Sequence, residues 1–201
     1  FAKPTRTDFR TLVRGQGSVV YDNHGNQYID GMASLWYCAV GHGRSDMAEA
    51  IARQAGTLAA YSTFDPFTNE PAEELAEKLV AIGPIPKSRI FFTSSGSESV
   101  DTAMKLARLA HVQAGHPERT LIISRQRGYH GTTYGGTSAQ GIPPNREGYG
   151  PLVGDVEQVA ADDIEAMATL MAQRGNTIAA VLVEPLQGAG GVFPPTEGYL
   201  E

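Results

Sequence analysis

Three short runs of consecutive, mostly apolar residues constrain the fold of this 201-residue chain more than any other feature. They occupy residues 89–93, 120–124 and 178–184, and the segments between them carry helical patterns at residues 97–113 and 162–174. A strand buried on both faces shows no polar alternation, and such strands are typical of parallel sheets that helices cover. The alternation of runs and helices therefore predicts an α/β fold with a mainly parallel sheet.

The residues before the first run have a different pattern. Two β-type runs, residues 18–22 and 27–30, flank a turn-forming cluster and predict a hairpin. Apolar positions then recur at helical spacing in residues 45–60 and again in residues 70–82, which predicts two amphipathic helices.

These patterns predict two domains with a boundary near residue 60. Residues 1–60 are expected to form an N-terminal arm and part of a small α+β domain, and residues 61–201 the first part of a larger domain. A parallel sheet with three strands is small for such a domain, so we expect the chain to be a piece of a longer protein.

Charge and cysteine content argue against several classes of function. The formal net charge is −6, whereas nucleic acids and anionic membranes attract a basic face. Cys38 is the only cysteine, so the chain forms no internal disulfide, and no Cys/His set has the spacing of a zinc site. No apolar run approaches the roughly 20 residues of a membrane helix. We therefore expect a cytoplasmic protein without a metal site and without a nucleic-acid or membrane partner.

A serine-rich loop, residues 93–99, joins the first apolar run to the helix that follows it. Gly96 permits close approach of the backbone, and the unpaired N–H groups of a first helical turn attract an anion such as phosphate. The alternative is an ordinary helix N-cap, with Glu98 as a favourable first-turn charge. The loop lacks the sequence of a Walker loop, a dinucleotide fingerprint or a nucleophile elbow.

Two further loops follow the other apolar runs. Residues 128–131 (Gly-Tyr-His-Gly) come after the second run, and residues 184–188 (Glu-Pro-Leu-Gln-Gly) end the third. The carboxyl ends of parallel strands meet at one edge of a sheet, where ligands bind. Tyr129 could stack on a flat ring there and Glu184 could meet a ligand, or they are a half-buried turn tyrosine and a paired carboxylate. Together the three loops indicate a flat, phosphorylated ligand.

These motifs resemble, in order and spacing, those of the class III pyridoxal-phosphate-dependent aminotransferases. The resemblance includes an N-terminal segment, residues 17–31, and runs from about residue 10 to the end of the chain. It implies the fold type I architecture of pyridoxal-phosphate enzymes, pyridoxal 5′-phosphate as cofactor, and a homodimer or larger assembly with sites at the subunit interface.

The same resemblance implies roles for individual residues. Ser95, Gly96 and Ser97 would bind the cofactor phosphate, Tyr129 would stack on the pyridine ring, and His130 would lie beside it. Glu184 would lie near the ring and its phenolic oxygen. Leu35 and Trp36 would line the substrate pocket, as in the amine:pyruvate and ω-amino acid members. The alternative for Trp36 is a core aromatic.

The family's Schiff-base lysine, and the aspartate that pairs with the pyridine nitrogen, are expected beyond Glu201. The four lysines of the chain are Lys3, Lys78, Lys87 and Lys105, and none is predicted to face the ring. No catalytic residue is therefore assigned within this chain, and the chain alone is expected to be inactive.

The function expected of the whole protein is transfer of an amino group from an amine or ω-amino acid to a keto acid such as pyruvate. One alternative is another fold type I enzyme, namely an aminomutase, decarboxylase or racemase. A second alternative, of a different class, is a non-catalytic phosphate-binding fragment.

Overall fold

In the computed structural model, which describes residues 7–201, the predicted hairpin is present and gains a third strand. Strand β2 (Val19–Asp22) pairs with β3 (Gln27–Ile29), and both β1 (Leu12–Gln16) and β3 run antiparallel to β2. The turn between β2 and β3 closes on the buried Asp22, whose carboxylate accepts hydrogen bonds from the N–H groups of His24 and Asn26 at 2.9 Å each. The Asn26 amide and the Tyr28 hydroxyl also donate to it, and the Asn26 bond does most to hold the pKa of Asp22 well below its usual range.

Both amphipathic helices predicted in this part of the chain are confirmed. Helix α1 spans Ser45–Thr57 and helix α2 spans Glu70–Ile82. The side chain of Asn69 caps α2 by accepting the N–H of Ala72 at 3.0 Å, and Pro71 lies in the first turn, where its missing N–H costs nothing.

The parallel sheet predicted from the apolar runs is also confirmed. Its strands are β4 (Leu121–Arg125), β5 (Val156–Val159) and β6 (Ile178–Val181), in the spatial order β5-β4-β6 with both pairings parallel. The sheet is surrounded by helices, which are listed in chain order: α3 (Gly96–Gln113), α4 (Tyr134–Ala139) and α5 (Ile164–Arg174).

The central strand β4 is completely buried because each of its faces has its own apolar cluster. On one face Ile122 packs with Met104 of α3 and Ala139 of α4. On the other face Leu121 and Ile123 pack with Ile178, against Met167 and Leu170 of α5. Burial on both faces is the reason that its first three residues are all apolar, without alternation.

One predicted strand is wrong. Residues 90–93 have no strand conformation, and within the described residues they pair with no neighbouring strand. Phe91 is 70% exposed and Phe92 is 45% exposed, so this apolar run is not covered in this chain. A strand forms only when its backbone N–H and C=O groups pair with those of a neighbouring strand, and residues 90–93 make no such pairing among the described residues.

The described chain forms two compact units, one ending at Arg89 and the other spanning Ile90–Glu201. The predicted boundary near residue 60, between the small and large domains of the whole protein, stays a prediction. Between residues 7 and 201, no helix is long and apolar enough to cross a bilayer.

Candidate active site

The serine loop forms the N-terminal end of helix α3. Ser95 is the N-cap, and its hydroxyl accepts the N–H of Glu98 at 3.1 Å, while the Glu98 carboxylate accepts the N–H of Ser94 at 2.8 Å. Among the described residues, the N–H groups of Gly96 and Ser97 have no acceptor. The cap therefore satisfies two donors and leaves two others free for an anion at the positive end of the helix dipole.

The loop after β4 packs directly on this helix start. The Ser97 hydroxyl accepts the N–H of Thr132 at 2.9 Å, and the Ser97 carbonyl accepts the Thr133 hydroxyl at 3.2 Å. Gly131 has a φ of 104° and no space for a side chain, because an added Cβ would lie 2.7 Å from the Ser97 Cα. The carbonyl of Gly131 is held by the buried amide of Gln140.

Helix α3 also holds the start of helix α4. Asp101, one turn beyond Ser97, accepts the N–H of Gly136 at 2.8 Å. A side chain at Gly135 would collide with this carboxylate, since an added Cβ would lie 2.6 Å from its Oδ1. The bond therefore fixes the segment after the Gly128–Gly131 loop against the helix that carries the serine loop.

Glu184 ties the third loop to the second. Its carboxylate accepts the N–H of Tyr129 at 2.7 Å through Oε1 and the N–H of Gly188 at 3.0 Å through Oε2. Tyr129 is 36% exposed, so its ring is not part of a closed core. The sequence places Tyr129 and Glu184 at the same edge of the sheet, and the structure joins them by a hydrogen bond.

His130 is almost completely buried, at 5% exposure. Burial lowers the pKa of its imidazole most, since removal from water penalises the charged form. The nearby Glu184 charge opposes this shift, and the Arg125 charge adds to it. A neutral imidazole has one donor and one acceptor nitrogen, so His130 can form a hydrogen bond beside Tyr129 without adding a positive charge to the site.

Leu35 and Trp36 lie in the other unit, in a turn of unusual conformation. The four residues Ala33–Trp36 all have positive φ, between 47° and 76°, and the Trp36 N–H closes the turn onto the Met32 carbonyl at 2.8 Å. Asp30 holds this turn by accepting the N–H of Ser34 at 3.0 Å and a ring nitrogen of His42 at 2.8 Å. Leu35 is 61% and Trp36 59% exposed, so in this chain neither is a core residue. Their role in a substrate pocket stays a prediction.

Sequence reasoning missed three residues that build the site: Thr132, Gln140 and Arg125. Thr132 and Arg125 act through hydrogen bonds to residues distant in the chain, and Gln140 acts through a bond to Gly131, nine residues before it; no sequence pattern indicates these bonds. The one available signal is the charge of Arg125 at the end of a buried apolar run, because a buried charge requires a partner to offset its desolvation. Among the described residues, no group of three or more His, Cys, Asp or Glu side chains could hold a metal ion.

The arrangement fits a flat, phosphorylated cofactor such as pyridoxal 5′-phosphate. The free N–H groups at the start of α3 suit a phosphate, and the partly exposed ring of Tyr129 suits an aromatic face. Glu184 and His130 add a carboxylate and a neutral imidazole beside them. All of these residues belong to the unit that starts at Ile90.

Comparison with known proteins gives a consistent result. The chain is 38% identical over 213 residues to a β-alanine–pyruvate aminotransferase of Pseudomonas aeruginosa, which covers 96% of this chain and 47% of that protein. It is 40% identical over 190 residues to an acetylornithine aminotransferase of Xylella fastidiosa, covering 94% and 45%. The crystal structure of a transaminase from Virgibacillus superposes with a TM-score of 0.92 at 38% identity, over 100% of this chain and 49% of that one.

The chain thus spans about half the length of the relatives it matches. The model of the family described as aminotransferase class III matches residues 1–201. With this match and relatives of nearly 40% identity, the chain belongs to the class III aminotransferases, a family of pyridoxal-phosphate enzymes.

Proposed function

We propose that the protein of which this chain is a part transfers an amino group from an amine or ω-amino acid to a keto acid such as pyruvate. The observation that carries the proposal is the joining of three loops at one sheet edge. Thr132 bonds to Ser97, and Tyr129 bonds to Glu184. Similarity to a β-alanine–pyruvate aminotransferase and to an ω-amino acid–pyruvate aminotransferase of Pseudomonas putida supports this donor class.

In this proposal the chain binds and orients the cofactor. The N–H groups of Gly96 and Ser97 hold its phosphate, with the Ser95 and Ser97 hydroxyls beside them, and Tyr129 covers one face of its ring. Glu184 holds the backbone of Tyr129 and brings its carboxylate close to the ring. Pyridoxal 5′-phosphate, when bound, supplies the electron sink and the carrier for the amino group.

His130 keeps the ring environment free of an extra positive charge, because burial favours its neutral form. Leu35 and Trp36 contribute apolar surface to the substrate pocket in this proposal, which selects donors by the shape of the group next to the amine.

We infer that the 201-residue chain by itself does not catalyse the reaction. The reaction needs a neutral amine beside the cofactor, and an exposed ammonium group must first lose its proton. Lys78, Lys87 and Lys105 are all exposed, and Lys78 is paired with Glu74 at 3.0 Å. Lys3 lies outside the described residues.

The test uses the full-length protein and the 201-residue chain in parallel. Each is titrated with pyridoxal 5′-phosphate and then given pyruvate with a panel of donors, including β-alanine, a simple amine and N-acetylornithine. The full-length protein is expected to bind one cofactor per subunit and to form alanine together with the carbonyl product of the donor. The 201-residue chain is expected to form neither alanine nor the carbonyl product.

Each alternative enzyme gives a different product, whereas a non-catalytic fragment gives none. An aminomutase returns an isomer of the donor, a decarboxylase releases carbon dioxide, and a racemase changes only the configuration of the donor. Any of these products without alanine would contradict the proposal. N-acetylornithine as the best donor would favour the second candidate, an acetylornithine aminotransferase, which the 40% identity to that enzyme of Xylella fastidiosa supports.

A further inference from the structure

Arg125 joins the carboxyl ends of all three strands of the parallel sheet. It is the last residue of the central strand β4, and only 2% of its surface is exposed. Its guanidinium donates one hydrogen bond to the carbonyl of Glu184, after β6, at 2.5 Å. It donates a second to the carbonyl of Ala161, after β5, at 3.2 Å. One side chain therefore fixes the spacing of the three strand ends at the edge where the candidate site lies.

The surroundings of Arg125 explain how a charge is tolerated at this depth. The carboxylate of Asp162 lies 3.9 Å from the guanidinium, and the ring of Tyr199 lies 4.9 Å from Cζ in a cation–π contact. The rigid fork of a guanidinium can serve two carbonyls at once, whereas a lysine ammonium has no such fixed geometry. A charge buried at this cost requires an explanation beyond packing.

The hydrogen bonds of Glu184 connect Arg125 to the loop that carries Tyr129. Arg125 holds the backbone carbonyl of Glu184, and the side chain of the same residue holds the N–H groups of Tyr129 and Gly188. A shift of the Glu184 backbone would move its carboxylate and, with it, the loop that carries Tyr129.

We propose that Arg125 is a positioning residue: it fixes the backbone of Glu184 and, through the Glu184 carboxylate, fixes Tyr129 in the cofactor site. The consequence for cofactor binding rests on the proposed function, because Tyr129 affects binding only if its ring faces the cofactor.

The electrostatics of His130 support this chain of contacts. Glu184 raises the pKa of His130 and Arg125 lowers it, so both charged groups act on the same buried imidazole. Removing the Arg125 charge is therefore expected to raise the pKa of His130.

The first experiment measures amide hydrogen exchange in the full-length protein without added cofactor. Arg125→Met is expected to speed exchange at Tyr129 and Gly188 by about tenfold or more, the factor for losing one hydrogen bond to a charged group. Arg125→Lys keeps the charge but lacks the rigid fork that serves both carbonyls, and it is expected to give a smaller increase. The control is Arg174→Met, which removes a partly exposed ion pair with Glu157 in the same unit and is expected to leave both amides unchanged.

If Arg125→Met does not fold, Arg125→Lys provides the result. Unchanged exchange at both amides in the folded Arg125 variants would overturn the proposal. So would an equal increase in Arg174→Met, because the effect would then reflect general destabilisation.

The second experiment is a double-mutant cycle on the affinity for pyridoxal 5′-phosphate. Arg125→Lys and Glu184→Gln are each expected to weaken binding, and the double variant to bind no more weakly than the weaker single variant, because the two residues act in series. Fully additive losses would overturn the proposal. If the wild-type protein did not bind the cofactor, the proposed function would fail, whereas the exchange experiment would still decide the role of Arg125.

Discussion

Gly131 lies directly against Ser97. A methyl group added to its Cα would be 2.7 Å from both the Cα and the Oγ of Ser97, which is closer than non-bonded atoms approach. The φ of 104° at Gly131 is also a conformation that residues with a side chain rarely adopt. This contact brings the loop after the central strand against the first turn of α3. The proposed ring-binding residue Tyr129 and the proposed phosphate-binding residues therefore lie on segments that touch each other.

Gly131→Ala is expected to lower the free energy of unfolding by about 1–3 kcal/mol, the cost of a strained backbone conformation. It is also expected to weaken cofactor binding, because the loop must move away from Ser97. Urea denaturation and a cofactor titration of the full-length protein measure the two effects. Gly154→Ala is the control, since its φ is not in the left-handed region and an added Cβ there would meet no atom within 4 Å. Equal losses in both variants would contradict the argument.

Gly96 offers a direct test of the phosphate site. It is the first residue of α3, where proline is well tolerated, and Ser95 before it has the extended backbone that a following proline requires. Gly96→Pro is therefore expected to keep the helix and remove one N–H, which weakens cofactor binding by about 1.5–3 kcal/mol. Gly96→Ala keeps the N–H, and its methyl group meets no protein atom within 4 Å, so it is expected to lose less affinity than Gly96→Pro. Equal affinities of the two variants would place the phosphate elsewhere.

Tyr129→Ala is expected to weaken retention of the cofactor by about 1–3 kcal/mol, the scale of one stacked aromatic contact with its burial. Tyr129→Phe keeps the ring and is expected to retain most of the affinity. Equilibrium dialysis of the full-length protein with pyridoxal 5′-phosphate gives both values. Unchanged affinity in Tyr129→Ala would argue against stacking.

His130 predicts a pH dependence of stability. Burial lowers the pKa of its imidazole in the folded state, so the unfolded state takes up the proton first as pH falls. The free energy of unfolding therefore decreases as pH falls through about 6.5, the pKa of an imidazole in the unfolded state, towards the lower pKa of His130 in the folded state. His130→Gln is expected to lose less stability than the wild type between about pH 7 and pH 5 in urea denaturation of the full-length protein. An unchanged pH dependence of the free energy of unfolding in His130→Gln would contradict this argument.

Trp36→Ala is expected to change the ranking of amine donors more than it changes the melting temperature of the full-length protein. The reason is that Trp36 is 59% exposed in this chain, so its removal leaves no cavity in this unit. Donor-panel kinetics and thermal unfolding provide the two measurements. A large drop in melting temperature with an unchanged donor ranking would identify Trp36 as a core residue of the assembled protein.

The site was predictable from the sequence where its signals are local. The Ser-Gly-Ser turn before a helical pattern identifies the cap at Ser95 and the free donors after it, since both depend on residues within one turn. Residues 128–131 and 184–188 could be assigned to one edge because parallel strands end on the same side. The bonds from Thr132 to Ser97 and from Arg125 to Glu184 could not be predicted, because their partners lie far apart in the chain.

For the fold, the sequence by itself determined the buried strand β4 and the helices α1, α2, α3 and α5, because burial and helical periodicity are written in neighbouring residues. The apolar run at residues 178–184 likewise predicted strand β6, and only the tertiary structure decided that residues 156–159 become the other strand beside β4. Strand β5 contains Glu157 and Gln158, which it can hold because Arg174 pairs with one and the Ser138 carbonyl accepts from the other. The apolar residues 90–93 remain outside the sheet, because an apolar run does not by itself specify a partner strand and pairing is a property of the assembled sheet.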